Sequence, residues 1–221
     1  MPFYALLSPE QQHRFQDDLK IFVHEKHFIG AAGLSVTEGM RVVIGGAAVR
    51  LTLGLDLSYY DRLTEIIVYP HDYRHADAEE GVITLGEAHD WGTVVLSWPA
   101  VLRGLANSRD GRDTAAHEFA HVLDRAGGNF NGTPPLRANE HYRVWAQIMD
   151  QQFRALRAGA PGVSQALRRY GATNEAEFFA VATEVFFEQP DLLKAQTPAL
   201  YKELQRFYGV EPQHQKSSDG R

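Results

Sequence analysis

Apolar positions recur along this chain with two different periods, and the period changes with position. After Ser8-Pro9-Glu10-Gln11, residues Phe15, Leu19, Phe22 and Val23 repeat at helical spacing, which predicts an amphipathic helix to about His27. Ser8 stands as N-cap, Pro9 in the first turn and Gln11 three residues after the cap. From Thr37, Met40, Val43, Ile44, Ala47 and Leu51 fall on one helical face, although Gly45 and Gly46 leave a strand open there. The middle reads differently: "EIIVYP", "GVITLGEA" and "WGTVVLSW" are short β-branched runs bounded by Gly, Pro and Asp, and each predicts a strand.

Helical spacing then returns over 99–106, and after the loop "NSRDGRD" over 114–126, 138–158, 174–188 and 198–208. No repeat and no linker interrupts the pattern. The expectation is an α+β fold with a small sheet in the N-terminal half and a mainly helical C-terminal half. One domain covers 1–210, and a polar, disordered tail covers 211–221.

Composition narrows the chemistry. The chain has 221 residues, 44% hydrophobic and 23% charged, as in ordinary soluble proteins. A net charge of −6 without a basic block argues against nucleic acid as a partner. No apolar run of about 18 residues and no signal-peptide pattern occurs, so the expectation is a cytoplasmic protein without a membrane partner. Cysteine is absent, which removes disulfides, thiolate metal sites and cysteine nucleophiles. Any metal must be held by His, Asp or Glu.

The stretch "DTAAHEFAHVLDRAGG" meets that requirement. On a helix His117 and His121 lie one turn apart on one face and can both reach an ion at about 2.0–2.1 Å. Glu118 can reach a water on that ion without ligating it. Thr114 or Asp113 can cap the helix, and Gly127 or Gly128 can end it. Phe119, Val122 and Leu123 would face the core, leaving His117, Ala120, His121 and Asp124 towards a cleft. Two histidines on an amphipathic helix can equally be solvated or hydrogen-bonded, so a third ligand matters.

The positions three and six past His121 are Asp124 and Gly127, which excludes the metzincin pattern. Glu140 has a thermolysin-like spacing, whereas "YGATNEAEFFAVATE" offers Glu175, Glu177 and Glu184. Glu177 and Glu184 share a helix face, and a carboxylate among phenylalanines needs a partner or a cation. That argument prefers Glu177 to Glu140, although Glu177 also fits the third position after an Asn174 cap.

"HEFAHVLD", "GGNFNGTP" and "YGATNEAEFFAVATEVFFEQP" resemble the Mlc titration factor A family of bacterial zinc peptidases. The likeness runs from the N-terminal helix through "PALYKELQRFYG"; the "YGATNEAEFFA" block also resembles, more distantly, the catalytic domain of anthrax lethal factor. The resemblance implies a zincin-like fold and one Zn2+ per chain, held by His117, His121 and Glu177. It makes Glu118 the general base and turns the Tyr170 hydroxyl into the site, where it can support an oxyanion. The residues "DTAA" ahead of the motif depart from the bulkier aliphatics more usual in the family.

The expected activity is hydrolysis of a peptide or protein substrate by a monomer. Sequestration of a transcriptional regulator, as the family name implies for one member, and hydrolysis of another amide or ester are the alternatives. "WGTVVLSW" is the candidate edge strand for an extended substrate. Asp124 could orient a histidine or make a structural hydrogen bond. "NSRDGRD", the loop 127–135 and the tail are the candidate mobile segments, and His71 with His75 reads as a solvated loop.

Overall fold

The computed structural model describes residues 2–72, the backbone of 86–89, and 92–212. Helix α1 spans Pro9–Glu25 and starts at the expected capping box: the Ser8 hydroxyl accepts from the Gln11 N–H, and the Gln11 side chain accepts from the Ser8 N–H. It ends two residues sooner than the periodicity suggested. The Lys26 N–H closes the last turn on Phe22, and His27 leaves the helix by donating to the Thr64 carbonyl at 2.9 Å. His27–Gly30 then forms strand β1, which the sequence reading missed.

Helix α2, Glu38–Thr52, is capped by Thr37. Gly45 marks a close helix crossing rather than a strand. A Cβ on Gly45 would lie 2.9 Å from Leu19 Cδ1 and 3.0 Å from Val23 Cγ2 of α1. The predicted strands become β2 (Glu65–Tyr69), β3 (Gly86–His89) and β4 (Thr93–Ser97). The first part of "GVITLGEA", and His75, lie outside the described residues.

The sheet order is β1-β2-β4-β3, with β1, β2 and β4 parallel and β3 antiparallel to β4. This corrects one expectation. The "WGTVVLSW" strand β4 pairs on both sides, so it cannot accept an added strand; among the described strands β3 stands at the edge on that side.

Nine residues from Trp98 to Ala106 form α3, and Thr114–Arg125 forms α4. The predicted helix over 138–158 is divided into a 3-10 turn, Asn139–His141, and α5, Tyr142–Arg157. The short helix α6 spans Val163–Ala166. Next come α7 (Glu175–Glu188), α8 (Pro190–Gln196) and α9 (Pro198–Tyr208). Both α6 and α8 were absent from the sequence reading, being too short for a helical period.

Helices α4 and α7 pack against each other at the centre of the molecule. All of α4 is buried except its terminal residues Thr114 and Arg125. Phe119 of α4 is fully buried, with its ring 5.9 Å from Phe22 of α1 and 5.7 Å from Tyr60, both edge-on. On the other side Phe179 of α7 packs with Trp145, Phe207 and Tyr208. Among the described residues no helix is long and apolar enough to cross a membrane.

Phe119→Ala should lower unfolding free energy by about 3–5 kcal/mol, because the cavity opens between three elements. Ile21→Ala, at a position 44% exposed, should stay within about 0.5 kcal/mol of the parent. Urea unfolding of the two variants checks the contrast; equal effects would contradict this description of the core.

Candidate metal centre

Helix α4 begins at Asp113, whose carboxylate accepts from the Ala116 N–H at 3.0 Å. One turn in, His117 and His121 project together, their rings 4.8 Å apart and nearly perpendicular. Helix α7 begins at Asn174, whose side chain accepts from the Glu177 N–H at 2.9 Å. This cap fixes the first turn of α7 so that Glu177 faces α4. One Glu177 oxygen lies 3.0 Å from His117 Nε2, and the other 3.6 Å from His121 Nε2. Donor atoms of these three residues fall within 4.8 Å of one another, the only such group of three or more His, Cys, Asp or Glu among the described residues. Glu177 thus occupies the third helical position after the cap and also meets both histidines.

Glu140 and Glu175 are exposed and take no part in the cluster. Glu184 is buried about two turns further along the same face of α7, but it is not a member either. Its carboxylate lies 2.8 Å from His117 Nδ1, the nitrogen that points away from Glu177. The seven-residue spacing showed a shared face; which histidine nitrogen each glutamate meets depends on a contact 67 residues apart in sequence.

The electrostatics follow from this arrangement. Burial opposes ionisation of Glu177, but hydrogen bonds to His117 and His121 hold its carboxyl well below the usual carboxylate range. Burial would lower the His117 pKa, yet the Glu184 charge and the bonds to both glutamates raise it to about 10. His121, buried and beside His117, is shifted down, and its Nδ1 has no hydrogen-bond partner. His117 thus carries a positive charge between the carboxylates of Glu177 and Glu184.

Glu118 is 5% exposed, and its charge acts on both His117 and Tyr170. Tyr170 lies on a 3-10 turn, Arg169–Ala172, with its ring 6.0 Å from His117 and half exposed. Burial of its hydroxyl, then the charges of Glu177 and Glu118, push its pKa up, so it stays protonated at neutral pH.

The expected cleft-facing stripe along α4 is only partly found, because Ala120 and Asp124 are fully buried. Asp124 turns to the loop after α4 and accepts from the Gly132 N–H at 2.8 Å. Trp145 Nε1 donates to the Gly132 carbonyl at 3.1 Å from the other side. Gly132 has φ +72°, and a Cβ there would run into the Glu175 carbonyl oxygen. The loop 127–135 is therefore pinned at its centre, and it carries Phe130 to 5.1 Å from His121. Phe130 is 42% exposed beside the cluster, a flanking residue that the sequence reading overlooked. His71 is exposed.

Near the start of α4, Glu188 of α7 is buried and accepts from the Arg112 N–H at 2.9 Å. Burial first, then the Asp113 charge, raise its pKa to about 8, against the opposing pull of Arg50; Asp110 adds to the rise. A carboxyl whose folded pKa is raised contributes stability below its unfolded pKa and loses it as pH climbs through the folded value. Relative to wild type, Glu188→Gln should therefore gain stability steadily between about pH 4.5 and 8. Urea unfolding of both proteins across that window tests it; a constant difference would show that Glu188 is ionised throughout.

Comparison with known proteins matches this geometry. The chain is 34% identical to an uncharacterised protein of Synechocystis sp., over 96% of this chain and 81% of that protein. It is 29% identical to Mlc titration factor A of Yersinia pestis and of Yersinia pseudotuberculosis, over 96% of this chain and 82% of each relative. The family profile described as glucose-regulated metallo-peptidase M90 matches residues 1–209. With a His-His-Glu cluster between its central helices and that match across nearly its whole length, the chain belongs to the M90 metallopeptidase family.

Proposed function

We propose that the protein is a zinc-dependent peptidase with a zincin-like fold, holding one zinc ion through His117, His121 and Glu177. The observation that carries this reading is the convergence of three donors, two buried imidazoles and one partly buried carboxylate, within 4.8 Å. The donor set suits the ion: catalytic zinc takes three N or O ligands and keeps a fourth position open. The Glu177 carboxylate, with one oxygen near each imidazole Nε2, fits a cation at that point.

A bound zinc ion supplies Lewis acidity, polarising a carbonyl and lowering the pKa of water toward ~7. The remaining steps belong to the chain. Glu118 removes a proton from the attacking water as its oxygen bonds to the peptide carbonyl carbon. The Tyr170 hydroxyl donates to the oxygen that gains negative charge. Glu118 then delivers its proton to the leaving nitrogen as the C–N bond breaks, and the carboxylic acid and free amine are released. The outward edge of β3 offers main-chain groups to an extended substrate, in the role first expected of β4.

A second reading is favoured by the name of the Yersinia relatives, Mlc titration factor A: a cytoplasmic monomer that binds and sequesters a transcription regulator, with or without cleavage. Dependence on Glu118 separates the two. Glu118→Gln should keep its zinc and lose hydrolysis of an unstructured protein such as casein by a factor of about 10² or more, from general-base loss alone. Regulator binding should survive the change. Undiminished hydrolysis by Glu118→Gln would remove the peptidase mechanism.

Tyr170→Phe should lower kcat about 10²- to 10³-fold with KM little changed, the size expected when one oxyanion donor is lost. Steady-state kinetics on a fluorogenic peptide measures this, and an unchanged kcat would exclude Tyr170 from the reaction.

A further inference from the structure

Glu184 sits outside the ligand cluster, yet it is 1% exposed and meets three separate parts of the site. One oxygen is 2.8 Å from His117 Nδ1. The same oxygen receives the Arg168 guanidinium in a close ion pair. The other accepts the Asp113 N–H at 2.8 Å, at the cap of the helix that carries both histidines. Arg168 in turn is the N-cap of the 3-10 turn that carries Tyr170.

Resting on the peptidase reading above, we infer that Glu184 is a positioning residue that couples the first metal ligand to the oxyanion donor, with Arg168 as its connection to the Tyr170 turn. The physical argument has two links. A carboxylate at Nδ1 keeps a proton on that nitrogen, so that an ion entering the cluster would displace only the Nε2 proton of His117 and take that lone pair. The carboxylate also fixes the imidazole plane, because its second oxygen is held by the backbone of the same helix.

The second link is the pairing with Arg168. A buried carboxylate requires a compensating charge, and a planar guanidinium meets that need in one orientation. Holding Arg168 sets the turn two residues before Tyr170. Gly171 packs that turn down: a Cβ there would lie 3.3 Å from Leu156 Cδ2 and from Val181 Cβ. Glu184 thus fixes both the His117 nitrogen that faces the ion and the place where the Tyr170 hydroxyl stands, while touching neither substrate nor ion.

Glu188 is the matched control. It is as buried as Glu184, lies one helical turn further along α7, and bonds to the backbone next to the same cap, but meets no histidine. Zinc affinity should be measured by competition with a chromophoric chelator, with thermal unfolding of each metal-free protein recorded beside it. Glu184→Gln should weaken zinc binding about 10- to 100-fold. Glu188→Gln should leave zinc binding within about twofold whatever it does to the unfolding temperature. Arg168→Gln, which keeps the buried carboxylate and guards against a Glu184 variant that fails to fold, should keep its zinc and lower kcat about tenfold with KM little changed.

Equal zinc affinity in folded Glu184→Gln and wild type would overturn the inference, and so would an unchanged kcat in Arg168→Gln. Neither result would touch the peptidase reading, which fails separately if wild type binds no zinc.

Discussion

A charge buried between helices must find its opposite there, and that constraint organises the centre of this molecule. Helices α4 and α7 bring His117, His121, Glu177 and Glu184 into an interface otherwise lined by alanine and phenylalanine. Uncompensated, each carboxylate would cost several kcal/mol. Here Glu177 is met by two imidazoles, and Glu184 by an imidazole, a guanidinium and a backbone N–H. The same pairings that make the interface tolerable aim three donor atoms at one point. Stability and the capacity to bind a cation therefore arise from one set of contacts.

Around that interface, the surrounding elements hold the two helices in register. Phe119 anchors the buried side of α4 to α1 and the Tyr60 turn, while Phe179 anchors α7 to the aromatic layer from α5 and α9. The loop after α4 is tied back by Asp124 and Trp145 through both polar groups of Gly132. A segment that composition alone marked as mobile is thus fastened where it passes the site, and it presents Phe130 next to His121. Tyr170 and Phe130 then stand half exposed beside the cluster, next to His117 and His121 respectively.

Much of this was legible in the sequence, for local reasons. Ser8 and Asn174 announced helix starts because a capping side chain and its N–H partner are three residues apart. His117 and His121 could be read as neighbours because one helical turn separates them. What escaped depends on partners far away in the chain. Strand β1 has four residues and exists through its pairing with β2. The central place of β4 follows from strand order, which hydrophobic pattern does not encode. Glu184 carried the same signal as Glu177, a glutamate on the same α7 face. Only the packing of α7 on α4 separates the one that meets His117 Nε2 from the one that meets Nδ1.

The central claim is that His117, His121 and Glu177 form one metal site, and its most direct measurement is zinc content by elemental analysis of purified wild type, Glu177→Ala and Glu140→Ala. The account predicts about one zinc per chain in wild type and Glu140→Ala, and loss of most of it in Glu177→Ala. A wild-type protein that contains no zinc and takes up none when it is added, or zinc that departs with Glu140 and stays without Glu177, would contradict it.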